Sequence, residues 1–275
     1  MTLSLLVLTD FTHPAEHALA YADRLASAIG ARLVLLHVHR DALLDPEQLS
    51  GTLPDLDTEA IQLAFASLER GLIAPAVAEI GHGLVADAVA QAVAQHRPTL
   101  IVLGRTEAGN TPDELLTPLG LALLRTLPYP LLVVPARPAS LPVPHRVLLA
   151  VDGEAFTLGP HAGPVRQLLD ALPAVLTVLH VLPSGSADEL PGQALESVQR
   201  TGLADDLAGL AHARCVHAPH PAEGILRVAR SAEFDLVALV ARPRSFLGKL
   251  FHHSVTAQVL LHSALPVLIL PATEE

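Results

Sequence analysis

Short apolar runs of strand length alternate along the chain with stretches in which apolar positions recur every three or four residues. The first run, Leu5 to Leu8, ends in the polar pair Thr9-Asp10. Thr12 or His13 can then cap a helix whose first residue is Pro14, with Ala18, Leu19, Ala22, Leu25 and Ala26 on one stripe and Gly30 at the stop. A second strand runs into His37-Val38, Thr58 to Leu72 reads as helix, Ala74 to Ile80 as strand and Leu84 to Gln95 as helix. Thr99 to Gly104 and Pro130 to Val134 complete five strands. Strands separated by helices demand right-handed crossovers, so this half is expected to be a parallel sheet with helices on both faces.

The pattern then repeats. Leu33-Val34-Leu35-Leu36-His37-Val38 recurs as Leu176-Thr177-Val178-Leu179-His180-Val181, and Leu6 to Asp10 as Leu148 to Asp152. Leu100 to Gly104 pairs with Val237 to Ala241 at an offset of 137, and Pro130 to Pro135 with Pro266 to Pro271 at 136. An ordered repeat fixes the domain count. Between the halves, Pro135 to Pro144 carries four prolines in ten residues, a stiff connector. The expected fold class is α/β: two tandem doubly wound modules, residues 1–139 and 140–275, each a five-stranded parallel sheet, packed as a pseudo-dimer. Their closing strands, PLLVVP and PVLILP, should lie side by side, because the last strand of each module would otherwise present an open edge.

Composition narrows the function. Of the 275 residues 51% are hydrophobic, only 3% are aromatic and Trp is absent, so the core is built from Leu, Val, Ile and Ala, as in buried parallel strands. The net charge of −11, with no basic block, argues against nucleic acid and anionic membrane as partners. Met1 to Leu8 lacks a basic leader segment and no later apolar run reaches spanning length, so the expectation is a cytoplasmic protein. Cys215 is the only cysteine, which leaves no internal disulfide and no thiolate metal cluster.

In an open parallel sheet, ligands bind beyond the carboxyl ends of the strands where strand order reverses. That rule selects Asp10 and Asp152 after the first strands, Val38 and Val181 at the second, and Gly104 and Ala241 at the fourth. With the recurrent strand-one aspartate, the His37-Val38 and His180-Val181 pairs and the two closing strands, the chain resembles the universal stress protein family in its tandem form, over essentially its full length. The resemblance implies an adenosine-binding end at the Asp and Val positions and a phosphate loop, Gly-x-x-Gly-x9-Gly-Ser/Thr, after strand four.

Here the spacing is kept and the glycines are lost. The first copy reads Gly104, Glu107 and Thr117-Pro118, and a glutamate where phosphate should rest is repulsive. Triphosphate binding is therefore not expected in the first copy; loss of the glycine loop disfavours ATP or AMP in the chain as a whole without excluding them, and no cofactor is assigned. The second copy reads Ala241, Arg244 and His253-Ser254, with Arg242, Lys249 and His252 adding positive charge at the same mouth, so an anionic group could dock through side chains. The string Phe246 to Thr256 also resembles a glycine-poor subset of tandem members of the family. The tentative ligand set is Asp152, Val181, Ala241, Arg242, Arg244, His253 and Ser254; the degenerate set is Asp10, Val38, Gly104, Glu107 and Thr117.

Each candidate has a plainer reading. The aspartates can accept from amides at the start of the first helix, His37 and His180 can be hydrogen-bonded structural residues, and Arg242 to Lys249 can be a solvated turn. His212, His217 and His220, or His252-His253, lack metal-ligand spacing, so no metal site is assigned. Cys215 reads as a small packed hydrophobe. No paired carboxylates or nucleophile set suggest catalysis. The expected function is a non-catalytic stress-response protein, binding a nucleotide or other small anionic ligand in the second module. The alternatives are a structural or interaction module without ligand and, less favoured, a nucleotide hydrolase. Intramolecular pairing through the closing strands leaves further homo-oligomerisation open.

Overall fold

The computed structural model describes residues 3–39, 58–105, 128–136, 141–185, 192–201, 203, 212–230, 232–242 and 254–272. The first half contains β1 (Ser4–Leu8), α1 (His13–Ile29), β2 (Arg32–His39), α2 (Thr58–Glu69), β3 (Ala76–His82), α3 (Val85–His96), β4 (Leu100–Arg105) and β5 (Leu131–Pro135). The second contains β6 (Arg146–Val151), α4 (Ala162–Ala171), β7 (Val175–Pro183), α5 (Gly192–Arg200), β8 (His212–Ala218), α6 (Pro221–Ala229), β9 (Leu236–Ala241), α7 (Val255–His262) and β10 (Val267–Pro271). The expected strands and helices lie within a few residues of these bounds. Helix α1 starts at His13, one residue before the Pro14 expected to open it, and Gly30 closes it in the left-handed conformation at φ 67°.

The ten strands form one continuous sheet in the order β3-β2-β1-β4-β5-β10-β9-β6-β7-β8. Every neighbouring pair is parallel except β5 and β10, which run antiparallel through Val133–Val267, Leu132–Leu268 and Leu131–Ile269. The two closing strands thus meet as expected, and the two five-stranded halves fuse into one sheet instead of remaining separate.

Strand pairing corrects one equivalence between the halves. Leu5 lies opposite Leu100 and Val147 opposite Leu236, so the fourth strands correspond at an offset of 136, and Gly104 matches Val240 instead of Ala241. The β5 and β10 registers give the same answer, since Ile101 faces Leu131 and Val237 faces Val267. Side-chain parity requires it: Leu100, Val102, Leu236 and Ala238 enter one core layer, whereas Ile101, Leu103, Val237, Leu239 and Ala241 enter the other. A slip of one residue would put every side chain of the strand on the wrong face.

Each core layer spans both halves. One lies under α1, α2, α4 and α5 and gathers Leu5, Val7, Phe65, Leu149, Val165 and Val198; the other lies under α3, α6 and α7 and gathers Leu6, Val89, Leu148, Ile225 and Val259. Side chains also cross between the halves. Arg105, at the end of β4, donates from Nη1 to the Leu260 carbonyl and from Nη2 to the Ser263 carbonyl at 2.8 Å, placing a cation at the carboxyl end of α7. Tyr129 meets the His161 ring edge-on at 4.6 Å between centroids, and the Arg24 guanidinium donates to the Leu141 carbonyl.

Candidate functional site

Strand order reverses between β1 and β4 in the first module and between β6 and β9 in the second, so the general rule for open α/β sheets points to the carboxyl ends of these pairs. The two mouths are built from the same parts and finished differently.

In the first mouth, Oδ1 of Asp10 accepts from the Thr12 amide at 3.0 Å and from the Thr12 hydroxyl at 2.5 Å. The carboxylate thereby closes the turn just ahead of α1. Thr12 lies outside the helix as its N-cap, and its own hydroxyl is turned to Asp10, so the cap expected from Thr12 makes no side-chain bond to the helix. Phe11 sits at φ 60°, a backbone conformation costly for a residue with a Cβ. Packing holds it there: its ring lies 4.8 Å from that of His37 and 5.5 Å from that of Phe65. His37 Nδ1 donates to the Thr9 carbonyl at 2.8 Å, which supports the structural reading of this histidine.

Gly104 is set by packing against α1. A Cβ at this position would stand 2.2 Å from the Pro14 carbonyl oxygen and 3.1 Å from the Ala15 nitrogen. The glycine lets the first turn of α1 press against β4 backbone to backbone. Val240 occupies the matching position in the second module and packs against the same core layer. A valine there excludes that approach. The second module starts its helix later: a 3-10 turn at Gly159–His161 leads into α4 at Ala162, so helical winding begins eight residues beyond Val151, whereas α1 opens five residues beyond Leu8.

The longer loop this leaves, 152–158, closes on Arg242. Its Nε donates to Asp152 Oδ2 at 2.7 Å and its Nη2 to Oδ1 at 2.9 Å, a bidentate pair across the gap between β6 and β9. Further donors reach the Glu154 carbonyl at 3.2 Å and the Ala155 carbonyl at 3.2 Å, and Glu154 Oε2 lies 3.5 Å from Nε. The Arg242 side chain is 15% exposed and that of Asp152 47%. Burial pushes the Asp152 carboxyl up, but the bonds and charge of Arg242 and the Glu154 amide outweigh it, and its pKa falls below the usual carboxylate range. Arg242 is therefore engaged by the protein itself, where sequence reasoning left it open to solvent and ligand.

At the position of Phe11 stands Gly153, at φ 78°. A Cβ there would meet the His180 ring at 3.0 Å, so the ring packs directly against the glycine backbone, where His37 of the first module meets the Phe11 ring. Val181 is packed instead of presented to the mouth: it is buried, and a Cβ on Gly224 of α6 would lie 2.6 Å from it. Val38 is partly buried against the same layer. Ala241, also buried, faces the layer under α7. The Ser254 hydroxyl accepts from the Ala257 amide at 3.1 Å and caps α7. Arg244, His253, Glu107 and Thr117 lie outside the described residues, as do Lys249 and His252.

Two features had no sequence signal. Glu154 joins Asp152 on Arg242 only through the course of the loop. A cavity of about 860 Å3 lies between α6 and α7, bordered by His220, Leu226, Arg227, Arg230, Val255 and His262. Arg227 is tied to the His217 carbonyl at 2.7 Å. Among the described residues, no three His, Cys, Asp or Glu side chains converge as metal ligands, and no helix is long and apolar enough to cross a membrane.

The model of the Universal stress protein family matches the chain twice, over residues 1–135 and 144–271. Solved structures share the fold over nearly the whole length. A universal stress protein from Archaeoglobus fulgidus is 17% identical, with 98% of each chain covered and a TM-score of 0.69. A putative universal stress protein from Pseudomonas aeruginosa is 20% identical, covering 98% of this chain and 94% of its own, with a TM-score of 0.62. No curated protein sequence matches the chain.

Proposed function

Because the chain belongs to the universal stress protein family, with one module in each half, we propose that it is a non-catalytic stress-response protein whose second module binds a nucleotide or other small anionic ligand at the carboxyl ends of β6 and β9. The observation that carries the choice of module is the exchange of Phe11 for Gly153. At one and the same left-handed position the first mouth carries an aromatic ring on His37, and the second carries a glycine in a loop that brings Asp152 and Glu154 onto Arg242. The side chains around this mouth offer charge and hydrogen bonds. Asp152 is held ionised by Arg242, so it is a poor general acid.

The second reading, a purely structural or interaction module, is favoured by the same Arg242–Asp152 pair, which closes the crevice without a ligand. Native mass spectrometry of the purified chain, followed by titration with ATP, AMP and anionic metabolites, separates the two. A copurifying small molecule or binding well below about 1 mM is expected. Absence of both leaves the structural module. ATP turnover that disappears in Asp152→Ala would replace the non-catalytic reading with a hydrolase.

A further inference from the structure

The cavity between α6 and α7 takes no part in the proposed function. It is bordered by residues of the two helices and by the N-cap His220, and shares none with the strand-end mouth around Arg242. At about 860 Å3 it has the size of a small-molecule site. Both helices connect strands that run in one direction, so they are parallel to each other and their carboxyl ends lie together. Ala222 and Leu226, one turn apart on α6, and the 37% exposed Val255 of α7 supply an apolar wall. Toward the carboxyl ends stand Arg227, Arg230 and His262. Arg227 is held by the His217 carbonyl, whereas among the described residues the side chains of Arg230 and His262 have no hydrogen-bond or ion-pair partner. Basic side chains at helix carboxyl ends are ordinary, but here one from each helix borders the same apolar-walled cavity, in a chain whose net charge is −11.

We propose that this cavity binds an organic monoanion with an elongated apolar body, of the kind a medium-chain carboxylate represents, its head on Arg230 and His262 and its body along Ala222, Leu226 and Val255. From Ala222 to Arg230 the α6 backbone rises roughly 12 Å at about 1.5 Å per residue, so the cavity has the length for a chain and not only for a head group. Glu223 decides the orientation. Its carboxylate borders the amino-terminal half, where it repels a head placed there and disfavours a second negative charge on the body. The Arg230 guanidinium offers a carboxylate a two-pronged, charge-assisted hydrogen bond, and burial of the body adds a hydrophobic contribution that a bare anion lacks. Each half alone is weak: an exposed ion pair holds little in water, and an uncharged chain leaves Arg230 unused.

Calorimetric titration of the full chain with octanoate, octylammonium and acetate tests the proposal. Octanoate is expected to bind the wild type at least about tenfold tighter than octylammonium, which keeps the body and reverses the head, and than acetate, which keeps the head alone. Arg230→Glu should weaken octanoate at least about tenfold and narrow its advantage over octylammonium to within about threefold. Val255→Trp places a ring in the cavity and should weaken octanoate by a similar factor. Arg166→Glu reverses an exposed charge of α4, on the opposite face of the sheet, and should leave octanoate binding within about twofold of the wild type. Circular dichroism checks that each variant folds. Octanoate binding that is absent, that is no tighter than octylammonium or acetate binding, or that survives both Arg230→Glu and Val255→Trp overturns the proposal. So does a loss of equal size in Arg166→Glu, which would assign the binding to general charge. None of these outcomes bears on the strand-end mouth, whose residues do not border this cavity.

Discussion

The two mouths show how one scaffold diverges once duplicated. Both keep an aspartate after the first strand and a left-handed residue next to it. In the first module Asp10 closes a turn on Thr12, Phe11 packs on His37 and Gly104 brings α1 down onto β4. The second has Val240 in place of the glycine, a later helix, a longer loop and an arginine across the gap. The difference begins with one position on the fourth strand. A missing Cβ lets backbone touch backbone, and an added side chain moves a helix start, which in turn frees the loop that Asp152 and Glu154 occupy around Arg242.

Placing the valine of the second module into the first is the strongest way to break this contrast. Gly104→Val puts a side chain into the Pro14 carbonyl, where no flexible group can yield, and is expected to lower stability by at least about 3 kcal/mol in urea denaturation. A loss under about 1 kcal/mol would show that the close approach of α1 is not what distinguishes the modules.

Opening the first mouth tests the other half of the contrast. Phe11→Gly loses ring packing on His37 and Phe65 but relieves a positive φ, so a net cost of only about 1 kcal/mol is expected. His37 should then react faster with diethyl pyrocarbonate, read by peptide mass spectrometry. An unchanged rate would mean that Phe11 does not close the mouth.

The smallest effect concerns pH. Asp152 has a folded-state pKa below its unfolded value of about 3.9, so the stability it contributes is fully present above about pH 4 and is lost as the pH falls through the folded value. Asp152→Asn should therefore cost less than about 1 kcal/mol near neutral pH, because the carboxylate is half exposed and the pair is screened. The gap to wild type should vanish in acid. A gap that persists at pH 2 would assign the effect to lost packing.

Much of this was legible from the sequence, and the parts that were not share a cause. Strand and helix positions follow from apolar periodicity, a local property, and α1 could be bounded by Pro14 and Gly30 because proline and glycine act on their own backbone. The equivalence of the fourth strands could not be settled that way. Leu236 to Val240 and Val237 to Ala241 are both unbroken apolar runs, and only the face each side chain enters distinguishes them. Asp152 and Arg242 were both singled out as ligand contacts; that they bind each other depends on a loop course that no spacing encodes.

The sequence by itself determined the duplication, the order of elements and the meeting of the two closing strands, because these follow from periodicity and from the need to cover an open strand edge. Only the tertiary structure decided which mouth is filled and which is bridged. Those outcomes rest on Cβ-scale clearances at Gly104 and Gly153 and on a bidentate contact between residues 90 positions apart. Distances of that kind exist only once the sheet has brought its strand ends together.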